Sequence, residues 1–172
     1  MAGVTEAFAV RPALKDDEML LIDMLIEAAN WPPDRRFSRS WVLSDPKLVH
    51  YVIGWPREGD VGLVAENVTG EAVGAIWWRY FTATDPGYGY VDDATPEVTV
   101  GVVPRWRGRG IGRALVRALL AEARSRAVDR LCLSVERANP AMRLYAHEGF
   151  VTLSSGTDSD TMLWSAPPVA RS

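Results

Sequence analysis

Residues 97–117 read Glu-Val-Thr-Val-Gly-Val-Val-Pro-Arg-Trp-Arg-Gly-Arg-Gly-Ile-Gly-Arg-Ala-Leu-Val-Arg. The first half alternates β-branched residues and stops at Pro104, which predicts a buried strand. Beyond it, Ile111, Ala114, Leu115, Ala118 and Leu119 recur at helical spacing and predict a long helix. Between the two lie Gly108, Gly110 and Gly112, interleaved with Arg105, Arg107, Arg109 and Arg113. A strand that turns through glycines into a helix aims unpaired backbone N–H groups at one point. The helix N-terminus adds partial positive charge there, and glycines let a ligand approach the backbone closely. The arginines add charge-assisted donors suited to phosphate oxygens. The stretch predicts a pyrophosphate cradle.

Other readings of the same residues are open. Gly110 alone could open a helix, with the arginines forming a solvated face. A nucleotide P-loop is excluded because no Gly-Lys-Ser/Thr occurs in the chain. A dinucleotide fingerprint gains its first two glycines from Gly108 and Gly110, and Glu136 ends the next strand at roughly the expected distance. Its third small residue is replaced by Arg113. Such units also open a domain, whereas this one follows about a hundred residues.

The run Arg107-Gly108-Arg109-Gly110-Ile111-Gly112 resembles the Arg/Gln-x-x-Gly-x-Gly/Ala loop of the GNAT superfamily, the acyl-CoA-dependent N-acyltransferases. The likeness extends to the valine-rich strand ending in Val-x-Pro, the long helix, and a short strand at 131–135. It continues through Asn139-Pro140-Ala141-Met142-Arg143-Leu144-Tyr145-Ala146-His147-Glu148-Gly149-Phe150, which resembles the family's Asn…Leu-Tyr-x-x-x-Gly-Phe element. The strong part covers residues 97–150, and Val10-Arg11-Pro12-Ala13 before an acidic helix start extends a weaker one towards the N-terminus.

Length and composition set the frame. The 172 residues fit one domain with a core of ordinary size, read here as 1–165 followed by a disordered tail at 166–172. Hydrophobic content of 48% with 24% charged residues is that of a soluble globular protein. A net charge of −3 disfavours nonspecific nucleic-acid binding. One cysteine, Cys132, precludes an intrachain disulfide framework, and two histidines are too few for a zinc site. No metal is expected. The absence of a membrane-length apolar run and of a signal-peptide order gives a cytoplasmic expectation by default.

Along the chain, strands are expected at 7–11, 61–66, 72–81, 97–103, 131–135, 150–153 and 161–164. Helices are expected from Asp16 or Asp17 to Trp31, from Pro46 to Ile53, from Ile111 to about Ala127, and from Pro140 to Glu148. Residues 34–45 are ambiguous between loop and helix. Trp77 and Trp78 must face opposite sides of a sheet, one ring in the core and the other in the core or lining a cleft. Residues 82–96, with Asp85, Asp92 and Asp93, read as a long acidic loop of the kind that is often functional. The class is α/β of mixed type. A mostly antiparallel sheet of about seven strands is flanked by about four helices.

The resemblance implies more. The central strand and the strand at 131–135 run parallel but splay apart, and the gap admits the pantetheine arm of a coenzyme A thioester. Carried over by position, Val100, Gly101 and Val102 contact that arm. Arg107, Gly108, Arg109, Gly110, Ile111, Gly112 and Arg113 hold the pyrophosphate, and Asn139 binds near the arm. The spacing from Asn139 to Tyr145 is one residue shorter than in many relatives. The implied reaction is acetyl transfer from acetyl-CoA, a co-substrate, to a primary amine by direct attack in a ternary complex. An oxyanion donor could be a backbone N–H near Val102, aimed inward by a bulge. Tyr145 is the candidate acid for the departing thiolate. Glu97 is the candidate base, acting through water. Asp92 and Asp93 are second choices for attracting a cationic amine, while His147 reads as a surface residue. The aromatic residues Trp31, Phe37, Trp41 and Trp55 could wall an acceptor pocket or simply pack. The acceptor is an unspecified small-molecule or peptide amine. Relatives often dimerise, so a homodimer is an open expectation. A catalytically silent acyl-CoA sensor of the same fold is the alternative.

Overall fold

Asn67 sets a tight turn between two strands. Its side-chain oxygen accepts hydrogen bonds from Thr69 N, Thr69 Oγ1 and Glu71 N, and Gly70 supplies the left-handed residue with φ of 82°. That turn joins β2 (Val61–Asn67) to β3 (Ala72–Arg79), an antiparallel hairpin. The structure, a computed structural model, describes residues 7–168. The other strands are β1 (Phe8–Pro12), β4 (Glu97–Val102), β5 (Arg130–Glu136), β6 (Val151–Ser155) and β7 (Ser159–Ser165). Helices α1 (Glu18–Ala29), α2 (Arg39–Ser44), α3 (Pro46–Val49), α4 (Ile111–Ser125) and α5 (Ala141–His147) complete the elements.

The seven strands form one mixed sheet in the order β1-β2-β3-β4-β5-β7-β6, and β4 runs parallel to β5 with Glu97 registered opposite Cys132. The chain divides into two compact units, Met1–Arg79 with Thr99–Leu119, and Tyr80–Val98 with Leu120–Ser172. Both β4 and α4 contribute residues to each unit.

In the first unit, apolar side chains of α1 (Leu21, Leu25), β2 (Val64), β3 (Ala75, Ile76) and α4 (Ile111, Leu115) are buried. Two glycines fix how closely these elements approach. A Cβ at Gly101 would collide with the Met24 carbonyl oxygen of α1, and one at Gly74 would lie 3.1 Å from the Gly101 carbonyl. Only a residue without a side chain lets α1 cross β4 there. Both rings of Trp77 and Trp78 are core, anchored by indole N–H bonds to the Tyr51 and Gly59 carbonyls, so neither lines a cleft. Arg79 is wholly buried. It pairs in bidentate fashion with Asp60 (3.1 and 2.7 Å) and donates to the His50 and Ile53 carbonyls. The ambiguous segment contains α2, capped by Ser38 through Trp41 N. Helix α3 is shorter than expected and continues only as turns to Ile53; among the described residues α2 joins the four helices expected.

In the second unit, β5 buries Leu131, Cys132, Leu133 and Val135, and β7 buries alternate residues Asp160, Met162 and Trp164. Arg137 gathers the β6–β7 turn through Asp160 and the Ser159 and Gly156 carbonyls. Part of the expected disordered tail is tied down, since Ala166 N donates to the Asp129 carbonyl; residues 169–172 lie outside the described residues. Among the described residues no helix is long and apolar enough to cross a membrane.

Candidate active site

Within the first unit, the end of β4 leads into a 3-10 turn, Pro104–Trp106, whose tryptophan is buried and so anchors the glycine-rich segment. Gly108 and Gly110 both take left-handed backbone, with φ of 73° and 87°, and open space lies where their side chains would be. The Gly110 carbonyl accepts from Ala114 N as α4 begins, and buried Ile111 roots the first turn. The N–H groups of that first turn have no partner within the helix. Gly112 and the exposed Arg113 lie in it. The Arg109 guanidinium stands over the Trp106 ring at 5.1 Å.

Arg107 has a different duty from the one expected of its side chain. Its Nε donates to the Val102 carbonyl (3.0 Å), and its two terminal nitrogens reach the Trp31 and Glu27 carbonyls and the Glu27 carboxylate (3.4, 3.2 and 3.3 Å). The guanidinium thus ties the loop to the C-terminal end of α1. Burial raises the Glu27 pKa, against the lowering effect of Arg107. On β4, Val100 and Val102 are half-buried and Gly101 is buried against Met24.

The second unit holds the proton-bearing candidates. Glu97 is only 3% exposed, although a glutamate opening a strand is ordinarily solvated. Its Oε1 accepts from Gly89 N at 2.8 Å, and a Cβ at Gly87 would lie 2.6 Å from the same carboxylate. A Cβ at Gly89 would lie 2.6 Å from the Leu133 carbonyl carbon, so the 82–96 loop lies flush on β5. Between those buried glycines Tyr88 is exposed. Asp92 accepts from Ala94 N and Thr95 Oγ1 and pairs with Arg130, contacts that together hold its carboxyl below the usual range. Asp93 accepts from the Tyr90 hydroxyl. Both aspartates are therefore engaged in building the loop. Cys132 lies beneath it, its thiol pushed up by burial first and then by the charges of Glu97 and Asp92, which makes it a poor nucleophile.

Tyr145 sits in α5 with its ring buried and edge-on to Phe150, centroids 5.9 Å apart. Its hydroxyl has no hydrogen-bond partner among the described residues, and burial alone pushes its pKa up. Asn139 is half-buried and uses its side-chain oxygen to receive Ala141 N at 2.9 Å, so it closes the turn that leads into α5 and leaves its amide N–H₂ for any other contact. His147 is exposed.

The sequence missed the buried Arg79–Asp60 pair, the Arg107 tie and the pinning of the loop by Glu97. Only the last left a signal, the Gly87-Tyr88-Gly89 alternation, which marks a backbone pressed against something on one side.

The model of the acetyltransferase (GNAT) family matches residues 20–150. A mycothiol acetyltransferase of Thermobispora bispora is 36% identical over 112 residues, covering 64% of this chain and 36% of that protein. One of Saccharomonospora viridis is 30% identical over 141 residues, covering 81% of this chain and 44% of that protein. The chain thus spans less than half the length of these curated relatives. Among solved structures, an N-acetyltransferase of Thermoplasma acidophilum in complex with coenzyme A superposes with a TM-score of 0.67 at 17% identity, over 93% of this chain and 99% of that one.

Proposed function

The chain belongs to the acetyltransferase (GNAT) family, and from that premise we propose that it transfers an acetyl group from acetyl-CoA to an amine nitrogen by direct attack in a ternary complex. The observation that carries this reading is the loop before α4. Two left-handed glycines with open space over both precede a helix N-terminus, and any side chain there would enter the space a pyrophosphate needs. Gly108 to Arg113 would hold the pyrophosphate mainly through backbone N–H groups and the Arg109 and Arg113 charges. Arg107 would serve by fixing the loop. Acetyl-CoA supplies the activated thioester; the rest is the work of the chain's own residues.

Tyr145 keeps its proton across the physiological range because burial disfavours the phenolate. A full transfer from so weak an acid to a thiolate, whose own pKa is about 8.5, runs uphill. The hydroxyl therefore acts by donating a hydrogen bond to the departing sulfur. Glu97 would receive the amine's proton, directly or through water, while its Oε1 holds Gly89. A backbone N–H near Val102 is the oxyanion donor in this scheme.

The test is release of free coenzyme A from acetyl-CoA across a panel of amines, with an acceptor of the mycothiol class included after the relatives' name. Thiol release above background with at least one amine is the expected result. Tight acetyl-CoA binding with only background hydrolysis would leave an acyl-CoA-binding module, and no binding at all would overturn the reading.

A further inference from the structure

Trp31 stands where α1 gives way to the segment leading into α2. Its carbonyl accepts from Arg107, the residue that opens the Arg-Gly-Arg-Gly loop. Its indole N–H is buried and has no hydrogen-bond partner among the described residues. Three other tryptophans of the chain handle the same group differently: Trp55 donates to the Leu14 carbonyl, Trp77 to Tyr51 and Trp78 to Gly59. A buried unpaired donor costs roughly 1–3 kcal/mol, and most buried polar groups in folded proteins are paired. Such a cost makes sense where a ligand brings the missing acceptor.

We propose that Trp31 is a ligand-binding residue whose indole N–H donates to a neutral carbonyl oxygen of the acyl-CoA co-substrate. The neutrality follows from the surroundings. The nearby guanidinium of Arg107 is engaged by three carbonyls and the Glu27 carboxylate, so little positive charge remains for a phosphate, and Glu27 would repel one. A lone neutral N–H suits an amide or thioester carbonyl. The segment that must admit this oxygen has neither helix nor strand between Trp31 and Ser38. Its ends are drawn together by the reciprocal bonds of Asn30 with the Phe37 backbone (2.9 and 2.8 Å), and Arg35 donates to the Ala29 carbonyl (3.2 Å). The assignment rests on the acyltransferase reading and adds to it a residue outside the glycine loop and β4.

Calorimetric titration of the full chain with coenzyme A and with acetyl-CoA, for wild type and Trp31→Phe, tests it. Without ligand, a variant with 3-benzothienylalanine at position 31, which keeps the ring shape, should melt at or above the wild-type temperature, since it removes only an unpaired donor. The affinity of Trp31→Phe should fall roughly tenfold, the value of one hydrogen bond. An equal loss for both ligands identifies an arm amide as the acceptor, and a loss confined to acetyl-CoA identifies the thioester carbonyl. Unchanged affinity for both would overturn the assignment while leaving the acyltransferase reading intact; a wild type that binds neither ligand would overturn both. Should Trp31→Phe fail to fold, 3-benzothienylalanine at position 31 removes the N–H with the ring shape kept, and the same outcomes apply.

Discussion

Replacing Tyr145 by Phe removes one oxygen atom and nothing else. The ring packs edge-on to Phe150 and the hydroxyl bonds to no described residue, so the folded state loses no contact. Tm should stay within ~2 °C. The catalytic loss follows from what the hydroxyl does. A hydrogen bond to a charged partner is worth about 1.5–3 kcal/mol, and at about 1.4 kcal/mol per decade this predicts a fall in kcat of roughly 10- to 150-fold. KM for acetyl-CoA should hardly move, because the sulfur carries its charge only as it leaves. The phenol pKa is raised by burial, so the donor stays protonated and the loss should be uniform from about pH 6 to 9. The sign also governs stability. The folded state holds this proton more tightly than the unfolded one, so the contribution is complete below the unfolded pKa of about 10 and is lost as pH rises above it. Tyr145→Phe should therefore unfold less readily than wild type in strong alkali. Steady-state rates over pH, with thermal melts beside them, check each part. An unchanged kcat with an accepted amine would remove Tyr145 from the mechanism.

Gly110→Val places a β-branched residue at φ of 87° over the cradle, and the stabilisation by coenzyme A, about 2.7 kcal/mol at a hundredfold excess over Kd, should vanish along with its rise in Tm; a normal rise would mean the cradle lies elsewhere. Glu97→Gln keeps an oxygen for Gly89 N but cannot take a proton, so the acidic limb of the pH–rate profile should flatten with little change in Tm. If rate and limb both survive, Glu97 is an anchor for the loop alone. Asp60→Ala strands the Arg79 guanidinium in the interior with only its two carbonyl partners. A loss of about 3–5 kcal/mol and a fall of roughly 6–20 °C in Tm are expected, and a loss under about 1 kcal/mol would show that water reaches the site.

The elements that were legible in the sequence are those where neighbours along the chain dictate shape. The strand, glycine turn and helix from Glu97 to Ser125 follow from β-branched runs, left-handed glycines and helical periodicity, all local signals. The same holds for the hairpin at Asn67–Gly70 and for the Leu-Tyr helix. What stayed hidden depends on residues far apart in sequence. Arg79 reads as an ordinary strand-end arginine until Asp60 and two loop carbonyls close round it. Gly101 looks like a weak spot in a strand until Met24 shows why no side chain fits. Asn139 carries the family's spacing but spends its oxygen on Ala141, a contact visible only once the helix start is placed.

If the glycine loop is the cofactor cradle proposed above, the Arg107 tie bears on how fast it captures its ligand. Four contacts to Val102, Trp31 and Glu27 hold the segment in place before any ligand arrives. Association would then need no folding step in the loop, and its rate would be set by diffusion and orientation. Differences in cofactor affinity among variants of this loop will lie in residence time rather than in encounter.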